Sequence, residues 1–239
     1  MKKAEYRDSS GKTLAEYPHP NVAVDTVALT YDENRGLEVL EVKRPDGGWA
    51  LPGTFLYPGE VLADAVQRAL QKKAGVYGLK PRQLQVFDGM DRDSRGWVLS
   101  VAHVCIIPVD RLAGRDSDCT QLVPVDSPGE LIYDHREMIE LALRDLRLRY
   151  KDKPDPDRLL GSFLTLPHLR LLHGAVAGEP IGPEKLDTFR RRMQKHLELT
   201  DPEERNPGAG LGRPPCCSTA KLTTNRNRDR YLGRTNGRR

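Results

Sequence analysis

Apolar and polar positions along the chain follow two periods. Val22-Ala23-Val24-Asp25-Thr26-Val27-Ala28-Leu29 is a nearly continuous β-branched apolar run, which predicts a buried strand. Leu37 to Val42 predicts a second strand, and Asn34-Arg35-Gly36 supplies the turn that makes the two a hairpin. Pro45-Asp46-Gly47-Gly48 breaks the pattern, Trp49-Ala50-Leu51 resumes it briefly, and Pro52 to Gly59 reads as a loop. The period then changes. From Val61 to Ala74, Leu62, Ala65, Val66, Ala69 and Leu70 recur near every 3.6 residues, predicting a helix that Gly75 ends at its C′ position. Strands are expected again at Leu84 to Val86 and from Trp97 to Pro108.

Asp134-His135-Arg136-Glu137 has capping-box spacing and opens a helix through Tyr150, with Met138, Ile139, Leu141, Ala142 and Leu146 inside. Lys151-Asp152-Lys153-Pro154-Asp155-Pro156 stops it and marks a boundary. Beyond it Pro167 suits the first turn of a helix with Leu169, Leu172 and Val176 on one face, Gly178 to Gly182 forms a turn, and Pro183 opens another helix. In that last helix Leu186, Phe189, Met193 and Leu197 make one apolar stripe, while Lys185, Thr188, Arg191, Arg192 and Lys195 lie away from it. This is the division of faces that a helix needs to pack on its own domain and offer cations to a DNA groove. Arg190 borders the stripe.

Charge sharpens that reading. The net charge of the 239 residues is +4, but from Pro183 to Arg239 14 Lys and Arg stand against 7 Asp and Glu, leaving 24 against 27 in the rest. A concentrated basic C-terminal quarter predicts a polyanionic partner. No apolar run reaches about 18 residues, and the polar start lacks a signal-peptide core, so a soluble cytoplasmic protein with no membrane partner is expected. Cys105, Cys119, Cys216 and Cys217 form no CxxC pair and are read as free thiols. His168 and His173 are five residues apart and His103 has no partner in sequence, so the histidines are expected to pack or face solvent, with no metal implied.

The segment Leu51-Pro52-Gly53-Thr54-Phe55-Leu56-Tyr57-Pro58-Gly59-Glu60, followed by Arg68-Ala69-Leu70-Gln71-Lys72-Lys73-Ala74-Gly75-Val76, resembles the Nudix box. Glu60, Arg68, Leu70, Gly75 and Val76 match the family pattern at the right spacing, but Thr54 stands where the family has its first Gly. Ala69, Lys72 and Lys73 stand where it has the glutamates that hold Mg²⁺. A diphosphate-cleaving site needs several carboxylate oxygens on one helix face, and two ammonium groups repel the ion. At about 4 Å and an effective dielectric of about 20, each like-charge contact costs roughly 4 kcal/mol. The resemblance therefore implies a Nudix fold without Nudix hydrolysis.

Asp91-Arg92-Asp93-Ser94-Arg95-Gly96-Trp97-Val98-Leu99-Ser100 is similar to a segment of Nudix proteins related to ADP-ribose, with Ser94 in place of the usual Pro. Leu164 to Leu169 through Phe189 to Met193, together with Gly212-Arg213-Pro214, is similar to the winged helix of the NrtR regulators of NAD biosynthesis. Cys216 to Ala220 departs from that family's closing strand.

The resemblance implies an α/β Nudix-like sandwich domain, a mixed sheet with helices, followed by a winged helix-turn-helix domain. The expected boundaries are 17–130 for the effector-sensing domain, 131–153 for a linking helix, 154–222 for the DNA-binding domain and 223–239 for a basic disordered tail. No cofactor is expected, and ADP-ribose or a related nucleotide is the implied effector. Arg44, Phe55, Glu60 and Arg95 are its candidate contacts, and Lys72 and Lys73 are expected to neutralise its diphosphate in the metal's place. Lys185, Thr188, Arg191, Arg192, Lys195 and Arg213 are the candidate DNA contacts. The expected protein is a homodimeric repressor of NAD biosynthesis or salvage genes on a palindromic duplex operator. Two rivals stay open: a hydrolase drawing metal ligands from Glu60 with Asp88, Asp91 or Asp93, and an RNA-binding protein using Arg226 to Arg239.

Overall fold

The computed structural model describes residues 6–161, 163–199 and 219–222. The described residues divide into two compact units: one gathers those up to Leu29 with Val39–Cys105 and Arg111–Ala142, the other Thr30–Glu38, Ile106–Asp110 and the described residues from Leu143 onward. No helix among the described residues is long and apolar enough to cross a membrane.

The expected hairpin is β1 (Asn21–Asp32) and β2 (Gly36–Lys43), and the expected later strands are β5 (Arg82–Phe87) and β6 (Val98–Ile106). With β3 (Trp49–Ala50), β4 (Gly53–Phe55) and β7 (Thr120–Pro124) they form one sheet among the described residues, ordered β3-β2-β1-β6-β5, with β4 added on β1 and β7 on β2. Val24, Val27, Ala28 and Leu29 of β1 are all buried, as expected of a strand covered on both faces, whose apolar run does not alternate.

The predicted helix is α1 (Leu62–Ala74), and Gly75 ends it at φ 67°, a left-handed conformation that costs glycine nothing. It buries Ala65, Val66, Ala69, Leu70 and Ala74 and turns Lys72 and Lys73 into its last turn, where the helix dipole favours cations. α2 (His135–Tyr150) follows the sequence reading.

Three expectations are corrected. Gly53–Phe55 is not loop but strand, paired antiparallel with β1 in the register Ala23↔Phe55, Val24↔Thr54, Asp25↔Gly53. Gly53, read as a breaker, is what permits the pairing, because a Cβ there would lie 2.0 Å from the Asp25 carboxylate oxygen. β7 was missed because it is five residues long and half-exposed, with no alternation to find. The last helix is shorter than its stripe: Pro183–Lys185 is a 3-10 turn, α4 spans Leu186–Gln194, and Leu197 belongs to strand β9 (Leu197–Leu199). Helical spacing from Met193 to Leu197 was therefore fortuitous, and Leu197 reaches the same apolar cluster from a strand.

In the second unit β8 (Phe163–Thr165), β10 (Thr219–Leu222) and β9 form a three-stranded sheet in the order β8-β10-β9, antiparallel throughout. Thr165 caps α3 (Leu166–Ala177), its hydroxyl accepting from the His168 amide at 3.3 Å, with Pro167 in the first turn and Gly178 at the end with φ 82°. Leu164, Leu169, Phe189 and Met193 make the buried cluster of this unit, with Leu160, Leu166, Ile181 and Leu197 packed against it. After α2 the chain is pinned by polar contacts: Tyr150 Oη donates to Asp155 at 2.7 Å, and the Leu159 and Leu160 amides donate to the same carboxylate at 2.9 and 2.7 Å. His173 Nε2 donates to the Pro154 carbonyl at 2.6 Å.

Candidate functional site

The first unit holds a cavity of about 500 Å³. Its walls come from β1, the connection that carries Arg44, the β3–β4 segment, the last turn of α1, the loop with Arg92 to Arg95, and the start of α2. Each contributes a charged or aromatic group, so one opening gathers side chains from residue 23 to residue 135.

Asp25 is the centre of its polar floor. Ser100 Oγ donates to one carboxylate oxygen at 2.6 Å, His135 Nε2 lies 3.5 Å from the other, and Arg92 Nη2 lies 3.9 Å away. Burial opposes ionisation of this carboxyl, but His135, Ser100 and Arg92 together outweigh it and hold Asp25 below its ordinary value. Arg92 is itself almost fully buried and donates through Nε to Asp134 at 2.7 Å. The Leu51 amide donates to His135 Nδ1 at 3.2 Å, which places the proton of a neutral ring on Nε2. Arg92 Nη2 and His135 Nε2 are buried without a hydrogen-bond partner among the described residues. An unpaired buried donor costs about 1–3 kcal/mol, so two of them in one cavity mark a site that lacks its acceptor.

The aromatic wall is Phe55 and Tyr133, with the Arg95 guanidinium 5.3 Å from one ring centroid and 5.8 Å from the other. The Arg95 fork is taken by the buried Asp93, Nε to Oδ1 at 2.9 Å and Nη2 to Oδ2 at 2.7 Å, so Arg95 presents its face rather than its edge. Tyr133 has φ 53°, a strained value for a residue with a side chain. Strain of this kind gathers where a side chain must be aimed.

Four of the expected effector contacts, Arg44, Phe55, Lys73 and Arg95, line this cavity; Glu60 and Lys72 do not. Lys73 Nζ donates to the Gly53 carbonyl at 2.7 Å, and loss of water lowers its pKa while the Asp25 charge opposes that shift. Arg44 pairs with Asp46. Glu60 instead forms a two-pronged pair with Arg68 at 2.7 and 2.8 Å, and Arg68 pulls its pKa down to about 2. The same guanidinium donates to Thr54 Oγ1 at 2.9 Å and to the Phe55 carbonyl at 2.8 Å, and stacks 3.9 Å from the Tyr57 ring centroid. The pair thus fastens the loop before α1 to the helix.

A divalent cation does not fit the residues present. Ala69 is buried and has no donor, Lys72 and Lys73 are cations, and the nearby carboxylates are engaged: Asp25 accepts from Ser100, Asp93 from Arg95 and Asp134 from Arg92. No group of three or more His, Cys, Asp or Glu side chains among the described residues is arranged to hold a metal. This includes Glu60 with Asp88, Asp91 and Asp93.

The sequence reading missed Asp25, Arg92, Tyr133 and His135 as site residues. Asp25 had a signal, a lone charge inside an apolar strand run, which burial permits only with partners. Arg92 and His135 sit inside segments already quoted, but nothing in one dimension says that they converge. In the second unit α4 buries Phe189 and Met193 and exposes Thr188, Arg190, Arg191 and Arg192, with Lys185 and Lys195 exposed at its ends. Lys185 lies 3.7 Å from Glu179, and the Arg192 guanidinium 5.9 Å from the Phe189 ring. Arg213 and the Gly212-Arg213-Pro214 match lie outside the described residues, as do Cys216, Cys217 and the basic tail. Cys105 and Cys119 are free thiols.

Comparison with known proteins agrees with this geometry. The family model described as NUDIX domain matches residues 19–141. An ADP-ribose pyrophosphatase of Methanocaldococcus jannaschii is 31% identical over 130 residues, 54% of this chain and 76% of that protein. The ADPR responsive transcriptional repressor NtrR of Acinetobacter baylyi is 25% identical over 189 residues, 75% of this chain and 74% of that one. The NrtR of Shewanella oneidensis superimposes with a TM-score of 0.67 at 28% identity, over 85% of this chain and 94% of that one. Its complex with a 27mer DNA gives the same TM-score and identity over 84% and 93%. The resemblance to NrtR-type proteins thus extends from motifs to the three-dimensional fold, a Nudix-like α/β fold with a mixed sheet.

Proposed function

As the chain belongs to the Nudix family, we propose that it is a DNA-binding transcriptional regulator in which ADP-ribose or a related nucleotide occupies the cavity around Asp25 and alters affinity for an operator. The observation that carries the reading is the charge of that cavity: Lys73 stands at a position where the Nudix box has a metal-binding carboxylate, and Arg44, Arg92 and Arg95 line the same opening. Such a site suits an anion and lacks, among the described residues, the carboxylate cluster that would hold a water-activating metal. The two relatives named as a repressor and as NrtR cover both units and support the choice of regulator over enzyme.

In this reading Arg44, Phe55, Lys73 and Arg95 hold the nucleotide. Glu60 fastens the loop that carries Phe55, and Lys72 adds to the positive field beside it. The second unit is a winged helix-turn-helix. α3 is its positioning helix and α4 its recognition helix, with Lys185, Thr188, Arg191, Arg192 and Lys195 on the groove side and Arg213, outside the described residues, as a further DNA contact. A homodimer places two such helices on a palindromic operator. α2, which begins at His135 in the cavity wall and continues into the second unit, links effector to DNA, provided that the nucleotide binds the two arrangements with different free energies. The regulated genes are those of NAD biosynthesis or salvage, and repression is the expected sign.

The test selects genomic duplexes on the purified chain and titrates the winner with ADP-ribose. A nucleotide-dependent change in DNA affinity is expected, and Arg191→Ala with Arg192→Ala should weaken binding by about 1 to 3 kcal/mol per bidentate guanine contact with a shallower salt slope. No selected duplex, or an unchanged affinity in the double variant, refutes it. Hydrolysis is the rival that the pyrophosphatase relative favours; turnover of ADP-ribose with Mg²⁺ or Mn²⁺ near or above about 1 s⁻¹ would establish it.

A further inference from the structure

The orphaned groups in the cavity say what kind of occupant it lacks. Arg92 Nη2 carries hydrogens and no lone pair, and His135 Nε2 carries the ring proton because Nδ1 already accepts from the Leu51 amide. Both can be satisfied only by an acceptor, and a metal ion is not one. Lys73, placed by the last turn of α1 where the family has a carboxylate, brings its ammonium into the same wall through the Gly53 carbonyl at 2.7 Å. Lys72, one residue earlier, does not line the cavity, and its charge acts on Glu60.

We propose that Lys73 and Arg92, assisted by His135, receive the diphosphate of a nucleoside diphosphate directly, so that recognition in this cavity needs no divalent cation. Lys73 takes the position of the bridging metal. In a carboxylate site the protein binds the ion and the ion binds phosphate; with the carboxylates gone, both halves of that relay are replaced by one ammonium contacting oxygen as a point charge. Arg92 is the deeper group. Its Nε is committed to Asp134, which fixes the guanidinium plane and leaves Nη2 in the cavity wall, 3.9 Å from Asp25 and without a hydrogen bond. Phe55, Tyr133 and the Arg95 face supply the flat surfaces on which a base or ribose rests. The inference rests on the reading of the cavity as a nucleotide site and adds how the charge is met.

Calorimetry on the full chain tests it, with ADP-ribose titrated once in excess EDTA and once in millimolar Mg²⁺, on the natural protein and on Lys73→Met and Lys72→Met. Methionine keeps the aliphatic stem and removes the charge, and both side chains are exposed enough that the fold survives, which circular dichroism verifies. Equal affinity in the two buffers is expected, with at least a tenfold loss, about 1.4 kcal/mol, in Lys73→Met and a smaller loss in Lys72→Met, whose side chain lies outside the cavity lining. Affinity more than tenfold weaker in EDTA overturns the metal-free mode. An unaffected Lys73→Met variant overturns the lysine assignment. If ADP-ribose binds in neither buffer, its identity as effector fails, and ADP decides the rest. Binding of ADP in EDTA that Lys73→Met abolishes upholds the diphosphate site, and no binding of ADP overturns it.

Discussion

Truncating Phe189 to alanine separates the structural from the contacting face of α4. The ring is 4% exposed, packs in the cluster of Leu164, Leu169 and Met193, and meets His173 edge-to-face with centroids 5.1 Å apart at 73°. Removing a buried Phe to Ala costs about 3–5 kcal/mol, of which the edge-to-face contact accounts for about 0.5–1.5. Taking about 4 kcal/mol against the roughly 5–15 that stabilise an ordinary domain, the second unit should lose between about a quarter and four fifths of its margin. Amide hydrogen exchange reads this residue by residue. Protection at the Leu169, Leu172 and Met193 amides should fall about a thousandfold, since each 1.4 kcal/mol is tenfold, while Val24 and Ala102 in β1 and β6 keep theirs. The double change Arg191→Ala with Arg192→Ala should leave every one of these amides protected, because both side chains face solvent. A loss of less than about tenfold at Met193 in Phe189→Ala would mean that the cluster does not hold α4, and the division of its faces would be refuted.

Gly53→Ala should displace Asp25 or undo the β1–β4 pairing, because the added Cβ lies 2.0 Å from one Asp25 oxygen and 3.0 Å from the Val24 carbonyl; a crystal structure or an unchanged melting temperature with unchanged ADP-ribose affinity decides the point. Stability should also fall on acidification from pH 7. Burial lowers the pKa of His173 and of His103 below 6.5, so the unfolded chain takes up these protons first, each contributing a slope of at most about 1.36 kcal/mol per pH unit between 6.5 and its folded value. His173→Gln, which keeps a donor for the Pro154 carbonyl, should flatten that slope, and an unaltered pH profile counts against the assignment.

What the sequence made legible was periodic. The β1 run, the α1 stripe with Gly75 after it and the long α2 all stand where apolar spacing put them, because burial of one face is a local property of the residues. β4 was hidden for a different reason: Pro52 and Gly53 carry the letters of a loop, and only contact with Asp25, 28 positions earlier, explains why a glycine stands in a strand. The cavity shows the same limit. Arg44, Phe55 and Arg95 could be nominated by motif, and Lys73 by what it replaced. Arg92 and His135 owe their interest to missing hydrogen bonds, a property with no trace in the letters. Leu197 warns of the converse, since a regular spacing continued by chance past the end of a helix.

The grip of Arg68 on Glu60, Thr54, Phe55 and Tyr57 is a mechanical joint. It consumes both of the letters by which the box is most easily spotted, and it leaves neither for chemistry on a substrate. Lys72, on the next turn of α1, adds its charge to the field around Glu60. Catalogues that sort chains by the Glu60 and Arg68 spacing therefore sort them by architecture, and will shelve readers of nucleotides beside breakers of them. Positions 69, 72 and 73 of the same helix set the electrostatics instead: Ala69 is buried, Lys72 faces solvent and Lys73 reaches the cavity.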